Sequence, residues 1–387
     1  MKIVFLTFHN YRTKRRGGFH VFAETAVRRG YETVFFSFPR PLYSMLKFDE
    51  RLNFKMLLSL SKGKTYELDG GKLLNITNPN FALPNILSKR VSQSFKIACQ
   101  QSFVFNFKKF ANKYFNETDF FIFESTESVL LFERIKEIFP KSKLIYRPSD
   151  PIVVDSWCDV GDYEEKLIKA SDWTFLVNEQ GLKSYEEKTN CFIGNEKYSI
   201  LSNGVSYKEF QDKYETPYLL SGNCSALYLG ARPVDWELII NSAQKAKNIN
   251  FVIVCPEKPS KKYLLEVNKS KNIQYVPGIF PEEVARWITN CDVFIVPNPR
   301  DLYKQKVWGI TAKLYQAMAA RKPIVVYHDY EHLRDIGVKY SYDTDSFVKN
   351  IYESLSIKEI DYRFDFNTIE WKVITDRFYE KLEELNG

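Results

Sequence analysis

Short apolar runs alternate along this chain with stretches in which apolar residues recur every three or four positions. That alternation predicts strands and helices in turn. KIVFLTF (2–8) reads as a buried strand, FHVFAETAVRRG (19–30) as a helix closed by Gly30, and TVFFSF (33–38) as the next strand, together one β-α-β unit. Residues 39–86 interrupt the pattern with Pro39, Pro41, Gly70, Gly71, Pro79 and Pro84, and are expected to form an irregular, inserted or mobile loop. A long helical stretch follows at 88–115. Strands are then predicted at 119–125, 143–150, 173–179 and 198–204, with helices at 129–139 and 162–170. The sum is a doubly wound parallel sheet.

Residues 205–223 are polar and turn-rich and read as a linker. A second alternation follows, with strands at 225–231, 250–256, 273–278 and 293–298 and helices at 236–246, 261–270 and 282–290. It leads into KVWGITAKLYQAMAARKPIVVY (306–327), which predicts a loop, a helix and a buried strand, and the last segment (366–385) predicts a long amphipathic helix. The expected fold class is α/β, with two Rossmann-like domains at about 1–205 and 222–365. Their strand ends are expected to face a central cleft.

The 306–327 stretch carries the first chemical signal. Thr311 is placed to cap the helix, which puts Lys313 in the first turn, where free N–H groups and the helix dipole favour an anion. Gln316 follows on the same face. A phosphate near Lys313 and a hydroxylated ring near Gln316 would use both residues; the alternative is the ordinary wet face of a surface helix.

At 387 residues and 44% hydrophobic, the chain suits two folded domains, and it has no apolar run of the roughly 20 residues needed to span a bilayer. Its opening MKIVFLTFHN turns polar too early for a secretion signal. The net charge of +7 is concentrated at the start, where residues 1–72 carry 14 Lys/Arg against 6 Asp/Glu. In 40–58 these cations interleave with Phe, Leu and Met, which suits an anionic membrane surface or a phosphorylated partner. No nucleic-acid motif accompanies them. Six scattered cysteines (99, 158, 191, 224, 255 and 291) form no C-x-x-C pair and read as reduced packing residues, and no His/Cys cluster suggests a metal. Asp343-Thr344-Asp345 reads as a solvated turn, and neither a dinucleotide-binding G-x-G-x-x-G nor a Walker A motif is present.

Four stretches, 3–32, YRPSD (146–150), LYLGARPVDW (227–236) and ITAKLYQAMAARKPIVV (310–326), resemble GT-B glycosyltransferases, and more narrowly the GumK-type, family 70-like glucuronosyltransferases. Little in 39–118 aligns. The resemblance implies an inverting, metal-independent enzyme that moves a sugar, with glucuronic acid as candidate, from a UDP-sugar to a lipid-linked oligosaccharide for a bacterial surface polysaccharide. It implies a cytoplasmic protein peripherally associated with the inner face of the membrane, with the acceptor on the N-terminal domain and UDP on the C-terminal one. It needs no cofactor besides the donor.

Residue by residue, Lys313 matches the family lysine at the diphosphate and Gln316 a polar residue further along that helix. Gly230, Arg232, Ile279 and Asn298 fall on loops flanking the nucleotide, with Arg232 departing from the family residue. Asp150 matches the family's general base; its alternative is a turn residue before Pro151. His9, at the end of the first strand, is the rival base, with Glu124 and Glu127 as weaker candidates. Arg12, Lys14, Arg15 and Arg16 would face an acceptor diphosphate or lipid head groups. Trp308 and Gln316 occupy positions where many retaining GT-B enzymes carry two glutamates, which favours inversion. The last helix, 366–387, is expected to pack on the N-terminal domain, as in similar enzymes. A retaining GT-B transferase and a non-catalytic nucleotide-sugar-binding protein remain the alternatives.

Overall fold

Two α/β units share the chain. The first comprises Met1–Ser202 with Thr375–Gly387, the second Asn203–Ile374. The computed structural model describes residues 1–13, 16–46, 53–155, 160–189, 191–192, 196–299, 310–327 and 336–387. Lys14, Arg15, Cys158, Trp308 and the 306–309 start of the ligand stretch lie outside them.

The first unit holds strands β1 (Lys2–Thr7), β2 (Glu32–Ser37), β3 (Lys64–Leu68), β4 (Gly71–Ile76), β5 (Phe120–Glu124), β6 (Lys143–Arg147), β7 (Trp173–Leu176) and β8 (Tyr198–Ile200). Their order is β3-β4-β2-β1-β5-β6-β7-β8, parallel except for the β3–β4 pair. The direction of winding reverses between β1 and β5, so the chain leaving those two strands diverges to opposite faces. The second unit holds β9 (Cys224–Leu229), β10 (Ile249–Val254), β11 (Ile273–Val276), β12 (Val293–Val296), β13 (Ile324–Tyr327) and β14 (Lys339–Ser341) in the parallel order β11-β10-β9-β12-β13-β14. Here the reversal lies between β9 and β12. Leu227, Val252, Phe294 and Val326 pack into one core, while Ala226, Phe251, Ile295 and Val325 pack into another. Residues of alternating parity thus bury both faces of the sheet, as parallel strands require.

Several sequence expectations are corrected. Residues 39–86 are largely ordered into a helix, Phe54–Ser61, and the hairpin β3–β4, whose second strand pairs in parallel with β2. Gly70, read as a breaker, forms the hairpin turn with Asp69 at a φ of +89°, and Gly71, with φ of +155°, opens β4. A Cβ on Gly70 would lie 2.8 Å from the Arg28 backbone. The 88–115 stretch is divided among helices Asn85–Ser88, Gln93–Gln101 and Phe107–Tyr114. It breaks where Phe103 bridges Asn80 and Asn106 caps the third helix by accepting the Lys109 N–H at 3.0 Å. Residues 205–223 do more than link: Val205, Phe210 and Leu220 are buried in the core of the second unit. Asp343 is the N-cap of a helix, Thr344–Leu355, that follows β14, and it accepts the Ser346 N–H at 2.7 Å.

The helix Trp371–Asn386 supplies the first unit with core residues from the far end of the sequence. Phe378 is fully buried, with ring centroids 4.5 Å from Phe22 and 4.8 Å from Phe175. Arg29 pairs with Asp376 and lies over the Tyr379 ring. Phe378→Ala is expected to destabilise the first unit by ~3–5 kcal/mol, read as faster hydrogen exchange of amides in β1, β5 and β7 with little change in β9–β13.

Candidate functional site

In the second unit, four of the residues singled out in the sequence converge on one buried hydroxyl. Tyr228, the penultimate residue of β9, is fully buried. Its Oη accepts a hydrogen bond from the Lys313 Nζ at 3.0 Å and from the Asn298 Nδ2 at 3.4 Å, and donates to the Arg232 carbonyl at 3.1 Å. One proton and two lone pairs are thereby all used. Asn298, itself buried just after β12, donates also to the Pro233 carbonyl at 2.6 Å, so the loop after β9 is tied to the loop after β12. Gly230 permits the arrangement: a Cβ there would stand 2.6 Å from the Lys313 Nζ and 2.9 Å from the Tyr228 Oη.

Lys313 is the second residue of the helix Ala312–Ala319, whose first N–H groups lack helical partners. Thr311 precedes the helix in extended conformation, but its side chain makes no cap, and its buried Oγ1 has no hydrogen-bond partner among the described residues. Lys313 is partly accessible as a residue, yet its ammonium end is enclosed. Burial first, and then the neighbouring Arg232 cation, push its pKa down to about 7. A cation here is disfavoured by desolvation, by Arg232 and by the positive end of the helix dipole. An anion of two or more charges would relieve all three. Gln316 lies three residues on, half-buried, and Ile279 follows Gly278 and packs against the core; neither joins the Tyr228 hydrogen bonds.

In the first unit, the ends of β1, β5 and β6 gather a second set. Glu124, the last residue of β5, is buried and accepts a short hydrogen bond from the Thr7 hydroxyl. The His9 Nε2 stands 3.9 Å from its carboxylate. Arg147, the last residue of β6, is wholly buried, with its guanidinium 5.0 Å from the Phe22 ring centroid. Burial pushes the Glu124 carboxyl up to about 7; the Asp150 charge adds to this, while the Thr7 bond and Arg147 oppose it. Burial likewise lowers Arg147 to about 10.

Asp150 is exposed just beyond β6, on a loop fixed from both sides. The Ser125 Oγ accepts the N–H groups of Ser149 and Asp150, at 3.0 and 3.2 Å. Beyond the loop, Glu164 is buried and accepts from the hydroxyls of Tyr146 and Tyr185 and from the N–H groups of Ile152 and Val153. Both candidate bases therefore flank Glu124, His9 directly and Asp150 through its field.

The loop after β1 is set by His20, which sequence reading passed over. It is buried; its Nδ1 accepts the Gly17 N–H at 3.1 Å and its Nε2 lies 3.2 Å from the Asn10 carbonyl. Burial drops its pKa to about 4, so the ring is neutral and donates from Nε2. Of the basic residues there, Arg16 pairs with Glu24 and Arg12 lies 5.9 Å over the Tyr66 ring. Glu127 is half-buried, and burial raises its carboxyl pKa against the opposing charge of Arg40.

Residues 5–177 match the sequence profile of the N-terminal domain of glucuronosyltransferase GumK, and residues 234–355 that of glycosyl transferases group 1. The first match runs through 39–118, where the sequence by eye offered little to align. No curated protein sequence matches the chain. Among solved structures, a UDP-forming α,α-trehalose-phosphate synthase from Burkholderia xenovorans superposes with a TM-score of 0.65 at 10% identity, covering 98% of both chains. HepE of Anabaena, in complex with UDP and glucose, gives 0.60 at 11% identity over 99% of both chains. The catalytic domain of Arabidopsis thaliana starch synthase IV, bound to ADP and acarbose, gives 0.57 at 10% identity over 99% of both. At such identities these likenesses establish the two-domain GT-B fold alone.

The buried Glu124 makes a testable contribution to stability. Its folded pKa exceeds the carboxylate value of 4.5, so the native state holds the proton more tightly and stability falls as pH rises from about 4.5 to about 7. Glu124→Gln should remove that fall, a differential of up to about 3 kcal/mol, seen as a smaller drop in thermal midpoint between pH 5 and pH 8 than in the parent protein.

Proposed function

For a chain that is a GT-B glycosyltransferase, with a GumK-type N-terminal domain followed by a group 1 glycosyltransferase domain, we propose an inverting, metal-independent transfer from a UDP-sugar to a lipid-linked oligosaccharide. Glucuronic acid is the favoured sugar. The observation that carries this reading is Lys313, held over Gly230 in the first turn of its helix, where its ammonium and the free N–H groups would both favour an anion.

In the proposed reaction an acceptor hydroxyl oxygen bonds to the anomeric carbon as the bond from that carbon to the diphosphate oxygen breaks. The hydroxyl proton passes to the Asp150 carboxylate, and the bonding pair leaves with UDP. Lys313 and the helix N-terminus stabilise the charge growing on the diphosphate, the service a metal ion provides in other transferases. Arg232 offers a second cation for the diphosphate or for a sugar carboxylate. A base at Asp150 is supported by its exposure on a loop held by Ser125. His9 is the second reading, favoured by its 3.9 Å approach to Glu124, an arrangement that orients imidazole bases elsewhere.

A membrane-borne acceptor is supported by the exposed side chains of Phe81, Ile86, Leu87, Phe95 and Phe105, which share a short stretch of the first unit with exposed Lys89 and Arg90. No helix among the described residues is long and apolar enough to cross a membrane, so association would be peripheral.

Calorimetry without added metal tests the donor: UDP should bind, and UDP-glucuronate more tightly than UDP-glucose if Arg232 meets a sugar carboxylate. Absence of binding by any uridine ligand would remove the reading. Lys313→Ala should weaken UDP binding by tenfold or more. Asp150→Asn should leave UDP binding near normal and reduce turnover by roughly 10²–10⁴-fold; retained turnover would transfer the base role to His9. An anomeric analysis of the product checks inversion.

A further inference from the structure

Lys313 sits where nothing in helix formation would hold it. Its flexible stem has rotamer entropy to lose on being fixed. Its cation faces the positive end of its own helix and the charge of Arg232. A lysine so placed would extend toward water unless an acceptor fixed it. Tyr228 is that acceptor in two ways, through its Oη at 3.0 Å and through its ring face, 4.7 Å from the ammonium.

We propose that Tyr228 is the positioning residue of the donor site, holding the Lys313 ammonium over Gly230 in readiness for a diphosphate. The inference rests on the reading of Lys313 as the diphosphate ligand. The hydroxyl is what the fold alone does not require. Phenylalanine would fill the same volume between the strands, whereas tyrosine places a polar atom in a fully buried position and satisfies it through residues of this site. The hydroxyl proton is committed to the Arg232 carbonyl, which also accepts from the Cys255 Sγ at 3.7 Å. That commitment leaves the lone pairs aimed at Lys313 and Asn298. Tyr228 therefore presets the cation before a ligand arrives, so less ordering remains for binding to perform. It is not placed to touch the reacting atoms.

The test is a double-mutant cycle read by calorimetric binding of UDP, run at ligand concentrations that reach the weakened variants. Tyr228→Phe should weaken UDP about tenfold. In a Lys313→Met background it should cause no further loss, because the hydroxyl acts through the ammonium. Gly230→Ala, whose Cβ would enter the same space, is a second route to the displaced lysine; it too should weaken UDP and should lose its effect in Lys313→Met. Equal UDP binding by the parent and Tyr228→Phe would overturn the inference. So would a loss of the same size with and without Lys313, which would mark a structural role. Failure of the parent protein to bind UDP would instead strike the reading of Lys313 itself.

Discussion

A parallel strand buried on both faces must send its chain out at one end and back at the other, and where the direction of winding reverses, neighbouring chains part. Everything chemical in this protein grows from that constraint. The reversal between β1 and β5 leaves the ends of those strands open to polar side chains, and His9, Glu124 and, one strand along, Arg147 and Asp150 occupy them. The reversal between β9 and β12 does the same for Gly230, Arg232 and Asn298, with the Lys313 helix following.

The two sets solve the problem of burying charge differently. In the first unit a carboxylate and a guanidinium are both desolvated, and each is displaced toward its neutral form despite the other. In the second unit the Arg232 cation stands beside the enclosed Lys313 ammonium and helps to push its pKa down. Two cations at a helix N-terminus are a setting that favours an anion, which is why the second set is the stronger indication of a ligand.

Much of this was readable from sequence where period and chemistry coincided. The strands of both sheets stood out as short apolar runs, and Lys313 stood out because a helix start, a cation and a following strand occurred together. Legibility failed where a residue works through partners far away in the chain. Tyr228 reads as one more aromatic in a strand, since nothing local tells that residues 232, 298 and 313 will meet its hydroxyl. Ser125, Glu164 and His20 were silent for the same reason. The β3–β4 hairpin was hidden by glycines that read equally well as loop, and by exposed strand positions that gave no apolar alternation.

The division of the first unit between the two ends of the sequence bears on how the protein is made. Phe378 and Tyr379 complete a core whose other members, Phe22 and Phe175, are synthesised before the whole of the second unit. At common elongation rates the intervening segment takes roughly 10 to 35 seconds to emerge. During that interval the apolar face between the helix Gly18–Arg28 and β7 is uncovered on the nascent chain. The second unit is contiguous in the chain, whereas the core of the first is completed only once the helix Trp371–Asn386 has been made.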